Sequence, residues 1–253
     1  HFIAGAAMVG GIGYFHRFRY DLLAANERIT AASFDAAIGA ALRGNLRKIT
    51  LVSSSMVYEG ARTWPSQEGD ELGCAPPRSS YGFQKLAAEG YARAAFTQYG
   101  LPYTIVRPFN CVGIGEDLSY AHVVPDLVRK LAAGDDPLRI YGTGMQVRHY
   151  THGTDVARGI VTAMEHPAAL NEDFNISSPV STTVLQLAWK LWEKMRPGTS
   201  PVIAHDTGLE YDVQRRVPSV EKARELLGFE ARVSLDDMLD EVIAWLAAVP
   251  AAS

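Results

Sequence analysis

Short apolar runs alternate along the chain with long stretches in which Ala, Leu and aromatic residues return every three or four positions. That alternation is the signature of an α/β protein. Residues 20–42 are rich in Ala and Leu at helical spacing and predict one long helix. Lys-Ile-Thr-Leu-Val-Ser over 48–53 predicts a buried strand, and 81–99 predicts a second long helix stopped by Gly100. Residues 102–107 predict a strand ended by Pro108. Further helices are expected over 122–133, 154–165, 182–195, 220–227 and 234–247, and shorter strands over 138–141, 174–177 and 202–204. The polar Gly- and Pro-rich stretch 60–80 follows a strand, where an α/β protein builds the walls of its active site. No repeat, low-complexity tract or long linker interrupts the pattern.

The 253 residues suffice for one large domain, or for a domain with a smaller lobe attached. Hydrophobic residues at 47% and charged residues at 21% give an ordinary globular balance. The net charge of −4 argues against nucleic-acid and anionic-membrane partners, and no stretch reaches the roughly 18 apolar residues of a membrane span. Cys74 and Cys111 are too few for a disulfide framework and lack metal-ligand spacing, so no metal is expected. A reducing cytoplasm is the simplest setting. The chain starts at His1, and residues 2–15 superficially resemble a signal-peptide core without its basic leader or cleavage site.

Three motifs carry chemistry. Val-Ser-Ser-Ser-Met-Val-Tyr (52–58) ends a predicted strand, Tyr-Gly-Phe-Gln-Lys (81–85) starts a helix, and Arg-Pro-Phe-Asn (107–110) precedes Gly113 and Gly115. A Tyr and a Lys four residues apart share one helical face, where the ammonium favours a phenolate and lowers the tyrosine pKa. A serine hydroxyl from the neighbouring strand end can bond both the tyrosine and a substrate oxygen, completing a general acid/base beside a hydride-accepting cofactor.

With these motifs in order, the chain resembles the extended short-chain dehydrogenase/reductase family that acts on nucleotide sugars. The likeness runs nearly end to end: residues 1–7 with Met-Val-Gly-Gly-Ile, Ile-Tyr-Gly-Thr-Gly-Met-Gln-Val-Arg (140–148) with Asp155, Phe-Asn-Ile-Ser (174–177), and Arg-Arg-Val-Pro-Ser-Val-Glu-Lys-Ala (215–223) with Leu-Leu-Gly-Phe (226–229). Ser219 departs from the family pattern, which has Asp there. The resemblance implies a Rossmann-like doubly wound parallel sheet over 1–115 and 145–178, with a smaller α/β substrate lobe over 116–144 and 179–253. It implies Ser54, Tyr81 and Lys85 as catalytic residues. NAD, with NADP the alternative, would lie against Ala6, Ala7, Asn26, Ser53, Tyr81, Lys85 and Pro108. A nucleotide-diphosphate sugar would be held by Gly11, Ser54, Ser55, Asn110, His122, Arg148 and one of Arg215 and Arg216. Guanidinium groups suit that task because they bind phosphate oxygens in pairs. His122 has two family readings, acid/base and nucleotide contact, of which contact is favoured. Phe109 and Tyr150 are expected to pack, and Asp155 to serve a helix start. Family members commonly dimerise through the two long helices, so a homodimer is expected.

Two departures shape the expectation. The family's G-x-x-G-x-x-G fingerprint and the acidic ribose ligand are absent, and Gly10-Gly11-Ile-Gly13 does not replace them. By the usual order of βα units, about one quarter of a member's length is expected before His1, and truncation is the favoured explanation. Where dehydratases and decarboxylases place acidic side chains after the catalytic hydroxyl, and GDP-fucose synthases a cysteine, this chain has Ser55 and Met56. A thioether performs no proton chemistry. The expected reaction is C4 epimerisation through a 4-keto sugar. A GDP-sugar epimerase/reductase and a cofactor-free sugar-nucleotide binder are the alternatives.

Overall fold

The computed structural model describes residues 1–208 and 212–249. The first half runs β1 (Phe2–Ala4), α1 (Ile12–Arg17), α2 (Arg19–Leu42), β2 (Ile49–Val52), α3 (Ser80–Tyr99), β3 (Tyr103–Pro108), β4 (Cys111–Val112) and α4 (Val123–Ala132). The second half adds β5 (Leu138–Tyr141), β6 (Val147–Arg148), β7 (Thr151–His152), α5 (Gly153–Glu165), β8 (Glu172–Ile176) and β9 (Thr182–Thr183). It closes with α6 (Val184–Met195), β10 (Ile203–Asp206), α7 (Glu221–Leu227) and α8 (Leu235–Ala248).

Successive residues on a strand point to opposite faces, so Ile105 and Val106 each need an apolar partner of their own. Ile105, with Ile49 and Leu51, packs on Phe34 and Ala37 of α2 and on Ala88, Ala92 and Ala95 of α3. The small alanines let α3 lie close to the sheet. Val106, with Phe174 and Ile176, packs on Ala163 of α5 and on Ala223 and Leu227 of α7. The sheet between these layers is parallel throughout, in the order β1-β2-β3-β8. Helices cover both faces, as a parallel sheet requires, and the fold is Rossmann-like.

A second core forms around the parallel pair β5–β10. Val124, Leu127, Val128 and Leu131 make the apolar stripe of α4, at the spacing of one helical face. They meet Leu187, Leu191 and Trp192 of α6 and Met238, Leu239 and Val242 of α8. The chain crosses between the two bodies several times, and α7 belongs by packing to the sheet. The C-terminal ends of β2 and β3 face the groove between the bodies, where ligands of open α/β sheets bind.

Four features differ from the sequence expectation. Helix α1 forms where no helical period was visible. The helix expected from 182 starts at Val184, because Thr182 and Thr183 pair with β6 and Thr183 caps the helix in a capping box with Gln186. Strands β4, β6, β7 and β9, of two residues each, are too short to show a period. Most of the 60–80 loop turns away from the groove: Ser66 pairs with Pro218, and only Arg78, Ser79 and Ser80 of that stretch line it.

Candidate active site

Local capping brings Ser54 and Tyr81 together. Ser54 leaves β2 in extended conformation and caps the turn Ser55–Tyr58, its Oγ accepting from the Met56 N–H at 3.2 Å. Ser79 caps α3 by accepting from the Gly82 N–H at 3.0 Å, and the Glu59 carboxylate accepts from the backbone N–H groups of Arg78 and Ser79. These caps fix Tyr81 in the first turn of α3 with Lys85 one turn later. Gly82 is required for the approach: a Cβ there would lie 2.8 Å from both the Met56 carbonyl oxygen and Pro77 Cβ. The Ser54 side chain lies close enough to Tyr81 to favour its ionised form, and Lys85 Nζ donates to the Val52 carbonyl at 2.9 Å.

All three side chains are buried, and burial dominates the ionisation of Tyr81 and Lys85. It raises the Tyr81 pKa, opposed by the adjacent Ser54 side chain and the nearby Arg216 charge. The Lys85 ammonium sits 5.7 Å from the Tyr81 ring centre, over its face, and is engaged with Val52. Burial depresses Lys85 itself to about 8, with Glu89 acting to raise it.

Across the groove lies a cationic wall. Arg148 pairs with Asp212 at 2.7 Å, and Gln146 donates to the same carboxylate at 2.7 Å. Burial and the like charge of Arg148 both push the Arg216 pKa down. Four buried polar atoms on this lining have no partner among the described residues: Asn110 Oδ1, Gln146 Oε1, Tyr150 OH and Arg216 Nε. Desolvated and unpaired groups of this kind are costly; the Arg216 Nε–H and the Tyr150 hydroxyl could donate to a bound anion, while the two amide oxygens need a ligand donor such as a hydroxyl. The segment Arg215–Arg216 is extended, with Val147 bridged to Arg215, so adjacent side chains diverge. Arg216 lines the groove. Arg215 instead stacks on Trp64 at 5.3 Å, while Trp64 Nε1 donates to the Arg215 carbonyl.

The remaining rim comes from α1 and the start of α4. Gly11 N–H donates to the Tyr120 carbonyl at 2.7 Å, and Tyr14 packs on Tyr120 with ring centres 4.5 Å apart. Phe15 lies flat on Tyr81, 4.6 Å away and tilted by 10°. His122 precedes α4 with its Nδ1 2.5 Å from the Glu116 carboxylate, which also accepts the His122 backbone N–H. Together these walls enclose about 970 Å³. The size and polarity suit a nucleotide-sized ligand.

Residues 1–177 match the family model described as the NAD dependent epimerase/dehydratase family. The chain belongs to this family. It is 30% identical over 250 residues to a protein of Oryza sativa subsp. japonica that bears the name GDP-L-fucose synthase 2, covering 95% of this chain and 70% of that protein. A UDP-N-acetyl-alpha-D-glucosaminuronate decarboxylase of Bacillus cytotoxicus is 32% identical over 216 residues, covering 81% and 65%. The solved UDP-glucose 4-epimerase of Thermotoga maritima, with UDP-glucose, superimposes with a TM-score of 0.82 at 28% identity, over 96% of this chain and 75% of that one. Membership fixes an enzyme class working on nucleotide sugars, while the relatives catalyse different reactions.

Within this epimerase/dehydratase framework, Ala7, Gly11, Ser54, Ser55, Tyr81, Lys85, Pro108, Asn110, His122, Arg148 and Arg216 all line the one groove. Arg215, Asn26 and Ala6 do not line this groove, and Ser53 lines it with its hydroxyl turned away. Asn26 spends its amide on the backbone of Met8, accepting at 2.7 Å and donating at 3.0 Å, so it props the loop after β1. Ala6 lies with Asn26 in a separate small crevice. Ser53 reaches the groove, yet its hydroxyl donates away from it, to Glu89 at 2.7 Å. Sequence reasoning missed Phe15, Gln146 and the buried acid Glu89. Gln146 lay inside the motif that yielded Arg148, and Glu89 follows Lys85 by one turn on the same face. Phe15 carried no such signal.

Proposed function

We propose that this protein is an NAD-dependent nucleotide-sugar epimerase that inverts C4 through a transient 4-keto sugar. The observation carrying this reading is the placement of Ser54 beside Tyr81 on the groove, with the buried Met56 thioether packed against Tyr81. One hydroxyl relay is available there, and the position that would serve a further proton transfer is inert.

The donor set fits the reactive end of NAD: Lys85 gives one hydrogen to Val52, and its ammonium carries two more on the lining of the same groove. Lys85, Tyr81, Ala7 and Pro108 would hold it, with NADP as the alternative occupant. NAD held there would supply an acceptor for the C4 hydride and a donor for its return. Tyr81 takes the proton of the C4 hydroxyl as the hydride leaves, and Ser54 steadies the resulting carbonyl oxygen. After the ketone has turned its other face, Tyr81 gives the proton back, so nothing is consumed. Asn110, Arg148 and Arg216 would grip the diphosphate, whose charge answers the crowded guanidinium groups.

A second reading, a GDP-sugar epimerase/reductase, is favoured by the carboxylate-held His122. Incubating NAD-loaded protein with UDP-, GDP- and dTDP-sugars, followed by NMR, separates the two. Inversion at C4 without net cofactor use supports the first. Stoichiometric NADPH use with a 4-keto sugar supports the second and refutes the first. Exposed Tyr20 on α2 and Phe96 and Tyr99 on α3 support a homodimer through these helices. Among the described residues no helix is long and apolar enough to cross a membrane. The free cysteines and mild acidity support a cytoplasmic setting.

A further inference from the structure

Behind the groove lies a buried charge network in which every acid has a cation. Arg107, fully buried, meets Glu89 through two hydrogen bonds of 2.8 Å, Glu71 at 2.9 Å and Asp173 at 2.7 Å. Arg93 also reaches Glu71 and Glu89, and Lys222 reaches Asp173. Lys222 also pairs with the more exposed Glu172 at 2.8 Å. Glu89 has a further role, because its Oε1 also accepts from Ser53 Oγ at 2.7 Å. Ser53 stands between the two residues that engage Lys85 and Tyr81. The Val52 carbonyl holds Lys85 Nζ, and the Ser54 hydroxyl lies beside Tyr81.

We propose that Glu89 is a positioning residue: its buried carboxylate, clamped by Arg107, grips Ser53 and so sets the Val52 carbonyl and the Ser54 hydroxyl against Lys85 and Tyr81. The inference rests on reading Ser54, Tyr81 and Lys85 as the reactive trio. Its logic is geometric. Glu89 lies one turn after Lys85 on α3, so one helical face holds both the ammonium and the clamp that positions the ammonium's acceptor. The strand end is fixed from the other side by Ser53 N–H donating to the Val106 carbonyl at 2.8 Å. With both its backbone and its hydroxyl held, Ser53 leaves its neighbours little freedom. The negative charge of Glu89 also works to keep Lys85 protonated.

The test uses Glu89→Gln and Ser53→Ala in NAD-loaded protein. Lys85 is followed by 13C NMR titration of its ε-carbon, and the Ser54–Met56 segment by amide hydrogen exchange. In Glu89→Gln, loss of the charge should lower the Lys85 midpoint by about one pH unit, and exchange at Ser54–Met56 should rise about 10-fold. Ser53→Ala leaves the ion pairs intact, and there exchange should rise while the Lys85 midpoint stays. On any sugar the wild type turns over, kcat should fall about 10-fold in both variants with KM within about twofold, the mark of lost positioning. A purely structural Glu89 would lower the melting temperature and leave titration, exchange and kcat unchanged, which would overturn the proposal. If Glu89→Gln does not fold, Ser53→Ala decides: unchanged exchange and kcat overturn it. Wild-type turnover by Tyr81→Phe would refute the trio instead, and the NMR and exchange results would still judge the clamp.

Discussion

Replacing Arg107 with Met keeps most of the side-chain volume and removes the one cation, among the described residues, that touches Glu71, Glu89 and Asp173 together. Glu71 and Glu89 have fully buried side chains and would retain, among the described residues, Arg93, which is partly exposed, while Asp173 would retain Lys222. Three hydrogen bonds go with the guanidinium, two to Glu89 and one of 2.8 Å to the Tyr58 hydroxyl, and so do the ion pairs with Glu71 at 2.9 Å and Asp173 at 2.7 Å. Breaking a buried pair from one side costs about 3–5 kcal/mol, chiefly because the remaining charge is left desolvated. At about 2–4 °C per kcal/mol for a chain of this size, calorimetry at neutral pH should find the Tm lowered by about 6–20 °C. The exposed pair Arg224–Glu221 is the control, since Arg224→Ala should cost at most about 0.5 kcal/mol, or roughly 1–2 °C. Converting Glu71 and Glu89 to Gln in the Arg107→Met background should recover part of the loss, because neutral amides leave no unpaired charge. An Arg107→Met protein within about 3 °C of wild type would refute the reasoning.

Two further outcomes follow from the groove. Arg216→Ala should weaken nucleotide-sugar binding by about 2 kcal/mol, roughly 30-fold, and Arg215→Ala, on the far side of the segment, by less than about twofold, as isothermal titration would show. Turnover should lose activity on a basic limb centred near pH 8, because burial holds Lys85 at about 8 and it is charged only below that value. A rate that is flat from pH 7 to pH 10 would show that the Lys85 charge is not used.

The layers of the fold were legible wherever a period repeats over several residues. Helices α2 and α3 fall within a residue or two of the ranges their Ala and Leu spacing predicts, and β5 coincides with its range. Tyr81 and Lys85 could be placed on one helical face because their spacing is local, while Ser54 was reached only through the resemblance of its motif to the family's. The structure adds the caps at Ser54 and Ser79 that make the spacing productive. Helix α1 was illegible, since Gly-rich apolar sequence has no period, and its rim position is set by contacts of Gly11 and Tyr14 with Tyr120, more than a hundred residues away. The Arg107 network was hidden for a related reason. Glu71, Glu89, Arg107 and Asp173 meet through strand register and helix packing, and taken singly each looks like a surface charge. Arg215 and Arg216 could be told apart only once the β-bridge at Val147 fixed which side chain faces inward.

If a single hydroxyl relay inverts C4, the hydrogen on that carbon leaves and returns within the site. The most direct measurement supplies NAD-loaded protein in D2O with UDP- and GDP-sugars that carry either hydrogen or deuterium at C4, and reads the products by NMR. The C4 epimer should appear with its original C4 isotope retained, no solvent deuterium at C3 or C5, and no accumulation of NADH. Solvent deuterium at C3 or C5, or products without inversion at C4, would contradict that relay.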